Sequence, residues 1–584
     1  MFSVLKKLNW FFKQQWKRYT IAILLLIFAN IFEIIPPLII GSAIDAIFLR
    51  SLTMTLLLQF ILILFIGAIV NYTITYYWQY QLFGGAFIVE KSLRSKIMNH
   101  LLKMTPTFYE KNRTGDLMAR ATNDLKAVSV TAGFGILTLI DSTLYMLTIL
   151  LTMGFLVSWK LTLAAVLPLP LLALGAKYLG DKIHKYYTDA QDAFGDMNDR
   201  VLENVGGIRV VRAYNQERAV ENQFFQMTEA VFHKNMKVEK IDAYFYPLVR
   251  TLTGLSYCIG LAYGTFLVFQ QQITLGQLVS FNVYLGMLTW PMFAIGELIN
   301  VMQRGNASLD RVQETLDYKE DVSNPPHPKK TQILESIEYA NVQFQYPSSS
   351  VVNLKNITIK IKQGDTIGIV GKTGSGKTTF IKQLLKEYPK AKGELLLADT
   401  PIEQQTNEHV RSWIGYVPQD QFLFSRSIKE NILFGNEKAT DNELENAIKL
   451  AAIDQDIHFL PNGLHTLVGE KGVALSGGQK QRISIARALI KDPEVLILDD
   501  ALSAVDAKTE AKIIKNLKKA RSGKTTIICT HRLSAIEHAN WILVLEDGEI
   551  VEEGTHEQLL QKNGWYKEQF DRQQLSKKME QGVN

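Results

Sequence analysis

The chain has 584 residues, 21% of them charged, with a net charge of +6, too many residues for one compact core at ~100–200 per domain. Its two cysteines, Cys258 and Cys529, lie far apart with no ligand-like spacing, which argues against a disulfide framework or a cysteine zinc site and for a reducing compartment. Mean hydropathy is near zero, but the apolar residues gather in the first half. The basic excess lies largely between apolar spans, where it would face anionic lipid, so nucleic-acid binding is not expected.

No short apolar stretch with a small-residue cleavage site opens the chain, so the first span is read as permanent. A bilayer core takes ~20 mostly apolar residues per helix. Six stretches qualify: 19–48, 56–80, 133–159, 161–178, 252–270 and 275–301. Lys6, Lys7, Lys13, Lys17 and Arg18 precede the first, and the connection 87–131 is rich in Lys and Arg, which places both in the cytoplasm. The alternate loops carry little basic charge. A multi-pass protein of the cell membrane is predicted, in contact with lipid, with its N-terminus and C-terminal half cytoplasmic.

The cytoplasmic connections 87–131 and 176–246 are polar, with interiors almost free of Pro and Gly, and are predicted to continue the membrane helices. PTFYEKNRTGDLMAR (106–120) and VGGIRVVRAYNQER (205–218) lie at their far ends, and such short amphipathic elements suit docking on another domain. Glu33, Asp141 and Glu297 interrupt apolar spans. A carboxyl there costs several kcal/mol unless it meets a partner or a cavity, so these acids are candidates for a substrate path, although Glu33 beside Pro36 and Pro37 also suits a kink.

DYKEDVSNPPHPKK (317–330) combines charge with three prolines and reads as an extended tether. The predicted organisation is a helical membrane domain over 1–316, a linker over 317–330, an α/β domain over 331–575 and a tail over 576–584. In the α/β part, GKTGSGKT follows the apolar run TIGIV and precedes TFIKQLLKEY, the strand, loop and helix of a phosphate-binding P-loop. Gly371, Lys372, Thr373, Gly374, Ser375 and Gly376 are expected to curl backbone N–H groups around phosphates, with Thr379 beside them. Lys377 reaches the β/γ-phosphates and Thr378 holds Mg²⁺. EVLILDD (494–500) runs four apolar residues into two acids, setting Asp499 beside the metal.

LSGGQKQR (475–482), just before that strand, is the signature of the ABC ATPase family, which the chain resembles over essentially its whole C-terminal half. The resemblance implies ATP and Mg²⁺ as cofactors and assigns further roles. Tyr346 stacks on adenine, Gln419 senses Mg²⁺ and the attacking water, and His531 bonds the γ-phosphate. Ser476, Gly477, Gly478 and Gln479 present the signature to a nucleotide held by another subunit. It also marks VGEKG (468–472) as an exporter-type segment and SAVD (503–506) as the D-loop. One P-loop and one signature cannot complete a composite site, so a second half-transporter is implied.

Over the membrane half, FYEKNRTGDLMAR and LGMLTWPMFAIGELINVMQRGNASLDR resemble the BmrC-type subunit of heterodimeric multidrug exporters of Gram-positive bacteria, which implies efflux of small amphipathic molecules. Most members of the family place Glu after the Walker B Asp, and here Asp500 stands instead. A base withdrawn by one methylene should slow hydrolysis by ~10²-fold or more, which predicts an impaired own site, while the intact signature completes a competent site on a different, Glu-bearing partner. A homodimeric exporter, a lipid flippase and an ATP-gated channel or sensor are the alternatives.

Overall fold

The computed structural model describes residues 3–469 and 475–581. It divides into two compact units, Met1–Leu101 with Gly115–Tyr318, and Leu102–Thr114 with Lys319–Asn584. The segment Leu102–Thr114 is flanked in the chain by helices of the first unit yet groups with the second.

The first unit is helical. Among the described residues, five helical stretches, some made of successive helices, are long and apolar enough to cross a membrane: Trp16–Phe48, Met54–Leu101, Thr114–Val166, Glu217–Phe269 and Leu275–Asp317. The remaining expected span, 161–178, begins in the last helix of the third stretch, Trp159–Val166, and continues in a further helix, Leu169–Gly206. Pro168 and Pro170 explain the interruption, because proline removes a helical N–H and clashes with the preceding turn. Along Met54–Leu101 the most apolar window is entirely unburied by protein, and Leu58, Ile61, Leu62 and Phe65 are exposed. Such a face is stable only where lipid replaces water. Pro36 and Pro37 start a new helix, Ile35–Phe48, after Glu33 caps Trp16–Phe32, so the kink expected there is present.

Ile35–Phe48 and Leu275–Met287 approach through small residues, the usual device for close helix contact in membranes. A Cβ on Gly276 would lie 1.9 Å from the Gly41 carbonyl oxygen. Asp45 accepts hydrogen bonds from the Gly276 N–H at 2.7 Å and the Thr274 hydroxyl at 2.6 Å, and the Ser280 hydroxyl donates to the Pro37 carbonyl at 2.7 Å. Backbone cannot yield to a methyl group there as a flexible side chain would. Gly276→Ala is therefore expected to destabilise the first unit by about 1–3 kcal/mol, the usual cost of overpacking, read as a lowered thermal midpoint in detergent.

The second unit is α/β. Strands β1 (Ser336–Gln345), β2 (Val352–Lys362), β3 (Thr366–Gly371), β4 (Lys392–Leu397), β5 (Thr400–Pro401), β6 (Ile414–Val417), β7 (Val495–Asp499), β8 (Thr525–Cys529), β9 (Trp541–Glu546) and β10 (Glu549–Gly554) form two sheets. One is antiparallel in the order β2-β1-β4-β5. The other has the order β10-β9-β3-β8-β7-β6, parallel except for the edge strand β10. Every residue of β7 and β8 is buried, as the apolar run Val495–Leu498 of β7 demands of a strand covered on both faces. The helix Lys377–Leu384 buries Phe380, Ile381 and Leu384, and the Tyr339 ring of β1 stacks on Phe380 at 4.1 Å. That contact fixes the helix between the sheets.

Candidate functional site

Ligands of open parallel sheets collect at the carboxyl ends of the strands, and here each expected phosphate-site element leaves such an end. The P-loop follows β3, Gln419 follows β6, Asp499 ends β7, and His531 follows β8. Four segments scattered over some 160 residues of sequence are thus brought to one edge.

Gly371 and Gly376 both have positive φ, and a Cβ on them would lie 2.1 Å from the Leu545 carbonyl oxygen and 2.8 Å from that of Asn353. Only glycine fits. Gly376 starts the helix Lys377–Leu384, whose N-terminal N–H groups and dipole favour an anion. The Lys377 ammonium donates to the carbonyls of Gly371 at 2.9 Å and Lys372 at 2.8 Å, and burial holds it below the usual lysine range. The charge is therefore already stationed inside the loop.

The Thr378 hydroxyl donates to Asp499 Oδ1 at 3.2 Å, and the Tyr416 hydroxyl donates to Oδ2 at 3.4 Å. Burial raises the Asp499 carboxyl, these two bonds oppose the rise, and the charge of Asp500 adds to it. A carboxylate buried without a full partner suits a cation. Among the described residues no group of three or more His, Cys, Asp or Glu is placed to hold an ion. The sparse oxygen pair Thr378 and Asp499 fits Mg²⁺, which takes one or two protein ligands and completes its shell with phosphate and water.

Asp500 leaves the strand in a left-handed backbone, φ 49°. Its N–H donates to the Cys529 carbonyl at 2.8 Å, and its own carbonyl accepts from the Ser503 hydroxyl at 2.9 Å. His531 is held below the ordinary histidine range by burial and by Lys377, with Asp500 opposing, so its imidazole is neutral at neutral pH. Gln419 is exposed, and its carbonyl accepts from the Gln421 amide at 2.6 Å. The Tyr346 hydroxyl shares a hydrogen bond of 3.0 Å with Thr379, which ties the expected adenine-stacking ring to the P-loop helix.

Ser476 caps the helix Gly477–Leu489 in a capping box with Gln479. The Gln479 amide donates to Asp456 at 3.2 Å. Gln481 was not singled out from the sequence, although it lies inside the signature motif: its amide donates to Ser503 at 3.1 Å and its carbonyl accepts from the Ala504 N–H at 2.9 Å. It fastens the signature helix to the D-loop, where Asp506 caps the next helix. Among the described residues, no hydrogen bond joins 476–479 to 371–379. Of the segment 468–472, residues 470–472 lie outside the described residues.

In the first unit, Asp141 is 6% exposed and accepts from Trp290 Nε1 at 2.9 Å and Asn30 Nδ2 at 3.4 Å. Glu33 accepts from the Tyr145 hydroxyl at 2.6 Å. Asp141 and Tyr145 bound one π-helical turn, Asp141–Tyr145, so both acids are satisfied through a single irregularity, a feature frequent at functional sites. Glu297 is exposed.

An α/β P-loop unit fused behind long apolar helices defines an ATP-driven membrane transporter. Comparison agrees in each half: a model described as ABC transporter transmembrane region matches residues 19–292, and one described as ABC transporter matches residues 354–503. The chain is 60% identical, over 98% of both chains, to the probable multidrug resistance ABC transporter ATP-binding/permease protein YheI of Bacillus subtilis (strain 168). It is 39% identical to the multidrug resistance-like ATP-binding protein MdlA of Escherichia coli (strain K12), over 97% of this chain and 96% of that one. A bacterial Atm1-family ABC exporter with ATP bound superposes with a TM-score of 0.78 at 26% identity, covering 95% of this chain and 99% of that one. The chain belongs to the ABC transporter family and is an exporter with a transmembrane domain and an ATPase domain.

Proposed function

We propose that the chain is one subunit of a heterodimeric exporter that uses ATP to move amphipathic small molecules out across the cell membrane, its ATPase domain cytoplasmic and its own ATP site impaired. Asp500 carries this reading. The P-loop, Thr378 and Asp499 are all in place, so the site would bind ATP and Mg²⁺. Mg²⁺ would supply charge neutralisation at the transferring phosphate. The residue that should hold the attacking water is one methylene short, while Ser476, Gly477, Gly478 and Gln479 remain intact to face a nucleotide on the partner. Tyr346 would stack on adenine, Gln419 and His531 would hold water and γ-phosphate, and ATP favours transport because the closed dimer binds it better than the open one. The relatives named for multidrug resistance support a drug-like cargo. Trapping assays on the purified pair test the reading: vanadate-trapped nucleotide is expected on the partner's P-loop and not on this chain's, and equal trapping would refute it.

Asp141 and Glu33 are the acids proposed to meet cationic amphiphiles. Asp141→Asn and Glu33→Gln keep an acceptor oxygen but lose the charge, and together they are expected to lower vesicle transport of cationic dyes by at least ~5-fold, the scale of ~1 kcal/mol, with ATP binding unchanged. Equal transport by wild type and variant would remove both from the path.

A further inference from the structure

The segment Leu102–Thr114 groups with the ATPase unit and reaches the nucleotide site through one carboxylate. Glu110 Oε1 accepts from the Tyr388 hydroxyl at 2.8 Å, and its Oε2 accepts from the Ser348 hydroxyl at 3.2 Å. Tyr388 is 4% exposed and meets the Tyr346 ring edge-on, with centroids 4.8 Å apart and planes at 79°. Ser348 lies two residues beyond Tyr346 in the turn after β1. Glu110 is thus joined to Tyr346 by two routes, through the ring of Tyr388 and through Ser348 two residues along the chain.

Thr379 fixes the other end of the same ring at 3.0 Å. Burial, and after it Glu110, raises Tyr388 well above the ordinary phenol range, so the phenol stays protonated and continues to donate. The segment is itself anchored beside the linker: the Thr105 hydroxyl donates to Asp321 at 2.6 Å, and Lys103 pairs with Glu320 at 3.2 Å. No catalytic or metal role falls to Glu110. What it controls is where an aromatic face waits for a base.

We propose that Glu110 is a positioning residue for the nucleobase: through Tyr388 and Ser348 it sets Tyr346 in the orientation that stacks on adenine. The proposal rests on the reading of Tyr346 as the adenine-stacking ring. Loss of support for an edge-to-face aromatic contact is a several-fold effect on affinity.

The test is done on the full complex, following covalent labelling of this subunit by 8-azido-ATP, with inorganic tripolyphosphate as a base-free competitor. Glu110→Ala is expected to raise the half-saturating nucleotide concentration about 5-fold and leave the tripolyphosphate competition constant unchanged. Glu110→Gln, which keeps an acceptor for Tyr388, should stay within about 2-fold of wild type. In a Tyr346→Ala background Glu110→Ala should add nothing, since the two act in series. Parallel weakening of nucleotide and tripolyphosphate, or full additivity with Tyr346→Ala, would overturn the proposal. If Tyr346→Ala weakens labelling while Glu110→Ala does not, the relay alone fails. If Tyr346→Ala leaves labelling unchanged, the adenine reading fails and the relay with it.

Discussion

Replacing Lys377 with alanine is expected to weaken ATP binding to this subunit by about 10–150-fold and to stop transport by the pair. The side chain spans the loop by donating to the carbonyls of Gly371 and Lys372. These bonds hold the ammonium inside the loop, where phosphate oxygens would arrive. Hydrogen bonds involving a charged group contribute about 1.5–3 kcal/mol, and each ~1.4 kcal/mol is tenfold in affinity. The fold should survive, because β3 keeps its pairing with β8 and β9 and the helix behind the loop is held by Phe380 and Leu384 in the core. Nucleotide titration of the complex, together with an unchanged thermal midpoint without nucleotide, checks both halves of this expectation.

Asp500→Glu is expected to have the largest effect in the opposite direction, a rise of about 3-fold or more in hydrolysis at this subunit's site. General-base catalysis contributes ~10²-fold or more when the base reaches its water, or at least ~2.7 kcal/mol in the barrier. Against this stands the backbone of Asp500, φ 49°, which Asp tolerates better than Glu. The left-handed conformation costs an ordinary residue about 1–2 kcal/mol, less than the catalytic term, so a net gain remains. Turnover is measured in the complex with the partner's own site silenced. No gain would mean that reach is not the defect.

Much of the ATPase unit was legible because its chemistry is written in contiguous motifs. GKTGSGKT between an apolar strand and a helix specifies a loop that only glycines can close, and β3 and the helix Lys377–Leu384 stand where that pattern places them. The apolar run before Asp499 likewise became the buried strand β7. Partners contributed by distant segments were not legible. Nothing near Tyr416 or Gln481 announces that one bonds Asp499 and the other bonds the D-loop, since both contacts depend on parallel strands and on a helix facing a turn. Glu110 was visible as part of an amphipathic segment, but its bond to Tyr388, 278 residues away, is a product of the fold.

In the membrane unit, hydropathy located the spans because bilayer thickness fixes their length. It did not foresee the break at Pro168, which divides one span between two helices, nor the π-helical turn Asp141–Tyr145. Single prolines and extra residues in a turn change backbone geometry without changing average hydropathy.

The most direct measurement is the ATPase rate of this chain purified alone in lipid, set beside that of the chain co-purified with a second half-transporter carrying Glu after its Walker B Asp. The account predicts nucleotide binding with little turnover by the chain alone and vigorous, drug-stimulated turnover by the pair. Vigorous hydrolysis by the chain alone would contradict it.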